Sequence, residues 1–502
     1  MSKLTKLLSV LLVLTLLTFT VAGCQQEEEE KTSLTIAING DIDNFDPFTQ
    51  QLNLYIRLIA NNCMEPLFYL NGDMEYEMAL ATEYEQIDEL NYTFKLREGV
   101  KFHNGEAFTA DDVKYTIEYA MDEANASYRA TYFSTVESIE CPDDYTVNIK
   151  LTDPTPAFLD AIAAQVIVCK SVDAATFETK PIGTGAFKFV SWTPNDNITF
   201  EKYADYWDVA KVKVDQLILK PFADQSVSMT NLEAGSIDMI YELQPVNTAT
   251  VSGKDNQKII QPATSNSMTV YEIGRHNFEP FSDPDVLNAM FMAFDKETIA
   301  QEVYYGNAKA AKSVFPEGAK FYKAVDDITF DPAAAASLLA GTDYADGFEF
   351  DLLILSGDTA NEQIATIWQA ELAKLNIKMN LKVSELSVWL DAYLGRTYDL
   401  IANAYSMVGS DPATCCAQII APLLDHQAAD IPDLGTLIET GKGSADEAVR
   451  NDAYSKIQDL LIQYKPVYFT MVTNPLFAAK ENLNGIEVNG MGHLILKAAN
   501  FS

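Results

Sequence analysis

The sequence predicts an α/β protein with more than one domain, and three observations carry that prediction. At 502 residues the chain is longer than one hydrophobic core ordinarily organises. Its 48% apolar and 21% charged residues describe an ordinary folded chain rather than a disordered one. Segments whose apolar residues recur every second position alternate with segments on the helical period, in places as helix followed directly by strand.

Residues 1–23 begin with Lys3 and Lys6, continue through an apolar run that includes Val13, Leu14, Leu16, Leu17 and Phe19, and end in Val21, Ala22 and Gly23 before Cys24. A basic start, a short apolar centre and small residues at the end form an export signal. The run is shorter than the roughly 20 apolar residues that a membrane-spanning helix needs. Small residues directly before a cysteine resemble the bacterial lipobox, which makes Cys24 the expected lipidated first residue of the mature chain; an uncleaved anchor helix is the alternative. Residues 24–32, with consecutive glutamates at 27–30, have nothing apolar to bury and read as an acidic tether.

Leu34, Ile36 and Ile38 alternate with Thr35 and Ala37, a strand that runs into the turn containing Asp41, Asp43, Phe45, Asp46 and Pro47. The acids invite a calcium loop, but Phe45 occupies a ligand position and Asp46 stands where the loop needs glycine. Leu54, Leu58 and Ile59 then begin a helix that runs toward Met64. In residues 92–113, YTFKLREGVKFHNGEAFTADDV, the alternation of Tyr92, Phe94 and Leu96 predicts a half-buried strand. Asn104 and Gly105 predict a turn. Thr109, with Asp112 three residues on, predicts a capped helix with Val113, Ile117, Ala120 and Met121 on one face.

A strand is expected at 146–151, and strands again around Phe187, Phe189, Ile198 and Phe200. Between them the run Pro181, Ile182, Gly183, Thr184, Gly185 looks superficially like a phosphate loop but lacks G-x-x-x-x-G-K-[ST]. Residues 217–240 read as a β-α-β unit with Gly235 ending the helix and a parallel strand pair. Ile364, Ile367, Trp368, Leu372 and Leu375 predict a helix, followed by a strand through Ile377, Met379, Leu381 and Val383. Ser384 is expected to cap the next helix, on which Trp389 reads as core rather than as a ligand stack. A buried strand follows at 398–401, and a last long helix starts from Asp446.

Several function classes are excluded. The formal charge of −37, made more negative by loss of Lys3 and Lys6 with the leader, repels phosphate backbones, so nucleic acid is not an expected partner. There is no G-x-S-x-G and no H-E-x-x-H, and the four histidines, His103, His276, His426 and His493, are far apart, so neither catalysis nor a resident cofactor or metal is expected. After Cys24 five cysteines remain, an odd number. Cys415 and Cys416 lack C-x-x-C spacing, which favours buried thiols or an incidental disulfide.

Residues 92–113, the segment 181–187, and the run from Tyr398 and Asp399 to Asp411 and Pro412 closely resemble the oligopeptide- and dipeptide-binding lipoproteins of bacterial ABC importers, extracellular solute-binding protein family 5. The resemblance implies a two-lobed periplasmic-binding-protein type II fold with an extra subdomain inserted in the first lobe. It divides the chain into a first lobe at 33–76, an inserted subdomain at 77–180, a return to the first lobe at 181–265, a second lobe at 266–470 and a final first-lobe segment at 471–502, with three crossings forming a hinge.

It also implies a monomer that captures a peptide or other small solute between the lobes and hands it to ABC permease and ATPase subunits, while the lipid anchor holds it at the membrane. A lipid-anchored sensor without transport, or a binder of an oligosaccharide or nickel complex, is the alternative. The positions that match the family's ligand grip are Gln50, Gln51 and Asn53 in the first lobe and Tyr405, Ser406, Met407, Val408 and Asp411 in the second. His103 falls in a turn that the resemblance places away from the cleft. One departure concerns cargo. Where peptide-binding members carry an aspartate that pairs with the ligand's ammonium group, three residues before Asp-Pro, this chain has Val408. Either Asp411 or a first-lobe acid such as Asp41 replaces it, or the cargo lacks a free amino terminus.

Overall fold

The computed structural model describes residues 31–49, 54–325 and 328–502. The opening strand, Ser33–Ile38, is the centre of a seven-stranded sheet because both its faces are apolar: Leu34, Ile36, Ala37 and Ile38 are fully buried. It pairs in parallel with Gln216–Pro221 on one side and with Met239–Ile240 on the other. The β-α-β unit is therefore present, but its two strands flank the opening strand instead of pairing with each other as expected. Asn197–Lys202 and Phe187–Thr193 extend one edge, and Phe477–Lys480 and Gln257–Ile260 the other.

A second, six-stranded sheet runs in the order Ala308–Ala310, Val467–Thr473, Ser267–Ile273, Leu400–Ser406, Glu349–Leu355, Lys378–Ser384. Its last two strands are parallel and joined through the helix Thr359–Ala373, which buries Ile364, Trp368 and Leu372. The chain moves from the first sheet to the second between residues 260 and 267 and returns between 473 and 477. These are two passages, where three were expected, because residues 77–180 leave and rejoin the first lobe without entering the second sheet. The return also comes later than 471: Val467–Thr473 pairs along its length with Ser267–Ile273.

A separate four-stranded antiparallel sheet is built from Ala81–Gln86, Asn91–Leu96, Thr146–Leu151 and Val136–Asp143. Tyr92, Phe94 and Leu96 share a core there with Val147, Ile149 and Leu151, and with Val113, Ile117 and Ala120 of the helix Ala110–Met121. That helix starts as the sequence requires, since the Thr109 backbone N–H donates to Asp112 Oδ2 at 2.9 Å in a capping box. The glycines of 181–187 serve close packing. A Cβ on Gly183 would stand 2.3 Å from the Cys63 carbonyl oxygen, and one on Gly185 2.7 Å from that of Asn62.

One local expectation changes, and one at Trp389 holds. Ser384 ends the strand Lys378–Ser384, and the N-cap of Leu386–Gly395 is Glu385, without a side-chain cap. Trp389 stacks on Tyr393 at 5.0 Å and packs with Tyr398 and Ile401, so it is core. The five described cysteines are unpaired thiols.

Beneath the glycine loop, Glu65 is fully buried and accepts hydrogen bonds from Tyr206 Oη (2.9 Å), Thr184 Oγ1 (2.9 Å) and Trp207 Nε1 (3.1 Å). Burial pushes its pKa up to about 7, with the three donors opposing. A folded-state pKa raised above the ordinary 4.5 means stability that is complete below about pH 4.5 and lost as pH rises through about 7. Unfolding free energy measured by denaturant titration is expected to fall by roughly 3 kcal/mol across that window from this group alone. Glu65→Gln should flatten the slope; an unchanged slope would assign it to other groups.

Candidate functional site: a cleft between the lobes

Four first-lobe segments converge on one chamber. Ile56, Arg57, Ala60 and Asn61 come from one face of the helix Leu54–Cys63, at the i, i+3, i+4 spacing that places side chains together. Tyr128 and Arg129 precede the short turn Ala130–Phe133, and Ala163, Ala164, Gln165 and Val166 come from the end of the helix Phe158–Ala164 and the residues after it. The C-terminal stretch contributes Asn489, Met491 and His493 from the turn that joins the antiparallel strands Glu487–Val488 and Leu494–Ile495, and Ile495 from the second of those strands. The chamber leaves about 40 Å³ of space that a water-sized molecule can enter.

An adjoining chamber, also with about 40 Å³ of space for a water-sized molecule, shares Arg57, Tyr128, Arg129, Ala164, Met491 and His493, and is closed by Tyr132 and by three second-lobe residues, Ser406, Val408 and Gln418. Gln418 sits on the π-helical turn Cys416–Ile420, an irregularity that turns one side chain out of its helix. Its Nε2 donates to Tyr132 Oη across the cleft. Val408 packs on the first-lobe core. The Asp411 backbone N–H donates to Asp160 Oδ2 at 3.2 Å, and Asp160 Oδ1 accepts from Tyr76 Oη at 2.6 Å. Burial pushes the Asp160 carboxyl up to about 6, with Tyr76 opposing and the Asp411 carboxylate adding to the shift. The lobes are thus in contact, and the adjoining chamber is lined from both.

Of the second-lobe positions singled out in the sequence, Ser406 and Val408 line the cleft, whereas Tyr405 and Met407 point into the second-lobe core. The period of two along the strand Leu400–Ser406 and its continuation enforces that division. Gln50, Gln51, Asn53 and the lipidation candidate Cys24 lie outside the described residues.

Asp411 is not available to a ligand ammonium group. Both its oxygens take Arg450 Nη2 at 2.7 Å, and Oδ1 also caps Ala413. The Asp41 carboxylate accepts from Trp192 Nε1 and from the Asn195 backbone N–H. Neither acid replaces the missing aspartate.

The cleft-lining residues that sequence reasoning missed include Arg57, Arg129, Gln418 and His493. His103 is structural: burial pushes it down to about 4, and its ring spans the Gly183 and Gly185 backbone. His493 is the histidine in the cleft. Burial and then the positive charges of Arg57 and Arg129 push it down to about 3, so its ring is neutral at physiological pH. Its Nε2 is buried with no hydrogen-bond partner among the described residues, as is Gln165 Oε1. Arg129 lies over the Tyr128 ring at 4.8 Å, and among the described residues no carboxylate pairs with it. Among those residues no group of histidine, cysteine and acidic side chains is arranged to hold a metal ion.

A chamber lined from both of two lobes is the arrangement in which a solute-binding protein holds its ligand. Residues 75–419 match the model of the bacterial extracellular solute-binding proteins, family 5, and the chain belongs to that family. It is a binding protein, not an enzyme. It is similar to the glutathione-binding protein GsiB of Pectobacterium atrosepticum, 29% identical over 69% of this chain and 68% of that one. The GsiB of Shigella dysenteriae is 27% identical, over 95% of each chain. Among solved structures, the dipeptide-binding protein of Pseudoalteromonas sp. SM9913 in complex with Met-Leu superposes with TM-score 0.81, at 22% identity over 94% of this chain and all of that one. The ABC transporter substrate-binding protein CtaP of Listeria monocytogenes superposes with TM-score 0.84, at 24% identity and the same coverage. At these identities the superpositions establish the fold, periplasmic-binding-protein type II. No helix among the described residues is long and apolar enough to cross a membrane.

Proposed function

We propose that this protein is the substrate-binding lipoprotein of an ABC importer. It is tethered through Cys24 to the outer face of the cytoplasmic membrane, captures a peptide or peptide-like solute between its lobes, and delivers it as a monomer to the permease and its ATPase. The observation that carries this reading is the shared chamber, in which Ser406, Val408 and Gln418 of one lobe face Arg57, Tyr128 and Arg129 of the other. A ligand touching both lobes favours the closed state over the open one, and closure is what a permease can sense. The names of the relatives, glutathione-binding and dipeptide-binding proteins, support a peptide-sized cargo. Residues 77–180, with their own four-stranded sheet, serve in this reading as the inserted subdomain.

Scattering tests the reading: saturating cargo is expected to reduce the radius of gyration, and an unchanged radius would confine recognition to one lobe. The same cargo should stabilise the fold by roughly 2.7 kcal/mol at a hundredfold excess over its dissociation constant. For the anchor, metabolic labelling with palmitate is expected to mark the wild-type chain and not Cys24→Ser; an unlabelled wild type would remove the lipoprotein assignment.

A further inference from the structure

The two lobes meet on a carboxyl group. Asp160, on the first-lobe helix Phe158–Ala164, is 2% exposed, and its Oδ2 accepts the backbone N–H of second-lobe Asp411 at 3.2 Å. The approach is close, since a Cβ on Gly409 would stand 2.1 Å from the Asp160 carboxyl carbon. On its own side Asp160 holds Tyr76 Oη at 2.6 Å through Oδ1. Parting the lobes therefore leaves the Tyr76 bond in place and exchanges the Asp411 N–H for water.

That exchange is unequal for the two protonation states of the carboxyl. Closure carries up a second acid, Asp411, whose own guanidinium partner, Arg450, is committed to it. Lys320 favours the ionised form of Asp160 through its charge, and Tyr84 lies edge-on to the Tyr76 ring. The strand Tyr76–Met78 turns Glu77 the other way, to Lys497. Of the elements packed against the helix, the strand Phe68–Leu70 and the turn Ala130–Phe133, the titratable side chains Tyr69 and Tyr132, with Arg129 beside them, line the chambers. Burial and the Asp411 charge outweigh the donors and Lys320, and push Asp160 up to about 6. One backbone N–H is a thin replacement for the water around a carboxylate. The protonated group suits the same contacts, with Oδ1 donating to Tyr76 Oη while Oδ2 goes on accepting from Asp411.

We propose that Asp160 is a proton-sensing latch: the lobes close more readily when its carboxyl carries a proton, so closure takes up a proton from solvent and is opposed as the surroundings become less acidic. The latch rests on the opening and closing of the lobes proposed above, and it needs no particular cargo. The closed state holds the proton more tightly than the open one, in which water returns to the carboxyl. Its advantage is therefore complete below the ordinary carboxylate value of 3.8 and is lost as pH rises through about 6.

The test is X-ray scattering of the purified full chain, without cargo, at about pH 5 and about pH 7.5, together with amide exchange in the peptide that carries Asp411. The closed-to-open ratio is expected to be about tenfold higher at the lower pH, read as a smaller radius of gyration and as greater protection once the intrinsic exchange rate is corrected for. Asp160→Asn imitates the protonated group, its amide oxygen accepting from Asp411 and its NH₂ donating to Tyr76, and should stay compact at both pH values. Tyr76→Phe removes the donor that favours the ionised form and should move the transition to higher pH; it keeps the latch testable if Asp160→Asn does not fold. Glu65→Gln, within the first lobe, should leave the response unchanged. Equal radius and protection at the two pH values, a pH response that survives Asp160→Asn, or an unmoved transition in Tyr76→Phe would each overturn the latch. Compaction by cargo tests interlobe capture separately, and it can hold while the latch fails.

Discussion

Replacing Gly409 by alanine is expected to hold the lobes apart and weaken cargo binding by about 30-fold or more. Gly409 has φ +71°, and a Cβ placed on it would stand 2.1 Å from the Asp160 carboxyl across the cleft. An L-residue in that conformation costs about 1–2 kcal/mol by itself. The clash adds to this, because Asp160 is held by Tyr76 Oη and by the Asp411 backbone N–H and cannot swing away without losing both. A total above roughly 2 kcal/mol corresponds to the predicted loss of affinity.

Because the contact exists only when the lobes meet, the penalty falls mainly on closure. Scattering should show the variant failing to compact under cargo that compacts the wild type. Adding Asp160→Ala should restore part of the closure by making room, leaving the backbone cost. If Gly409→Ala closes normally, the contact between Gly409 and Asp160 does not limit closure.

The second large effect is on stability. Arg450→Met is expected to destabilise the protein by about 3–5 kcal/mol, the usual consequence of removing one partner of a buried ion pair. The side chains of Arg450 and Asp411 are 6% and 3% exposed, and the pair is bidentate on the carboxylate side at 2.7 Å. Without the guanidinium, Asp411 keeps, among the described residues, the Ala413 backbone N–H that it caps. Arg450 also donates through Nε to the Gly441 carbonyl and lies over the Phe321 ring at 5.1 Å, contacts that methionine keeps only in their apolar part. Denaturant unfolding should show a lower midpoint at similar slope. Asp411→Asn in the Arg450→Met background should recover part of the loss, since it removes the uncompensated charge. A change under about 1 kcal/mol would mean that Asp411 finds water or another cation when Arg450 is gone.

Much of the fold was legible because it is written in short-range chemistry. The alternation of Tyr92, Phe94 and Leu96, the Thr109 and Asp112 capping box, and the stop at Gly235, with φ +79°, depend on residues within a few positions of each other. The same period-of-two rule divides the residues around 405–408: applied strictly to the sequence, it separates Ser406 and Val408 from Tyr405 and Met407. It does not say which pair faces the cleft.

The cleft chemistry was not legible, for a physical reason that particular residues make plain. Arg57, Arg129 and His493 belong to a helix, a turn and a C-terminal hairpin turn, each unremarkable by its own local pattern, and only the packing of these segments brings them to one chamber. Asp411 looked like a ligand carboxylate because nothing near it in sequence announces Arg450, thirty-nine residues away and bonded to it in the fold. The two strands of residues 217–240 looked like a pair because local pattern cannot reveal that Ser33–Ile38 lies between them. Sequence alone determined most of the elements and the family resemblance. Tertiary structure decided which charges face one another, because periodicity sets the direction of a side chain relative to its own backbone, while its partners are set by sheet order and by the closure of one lobe on the other.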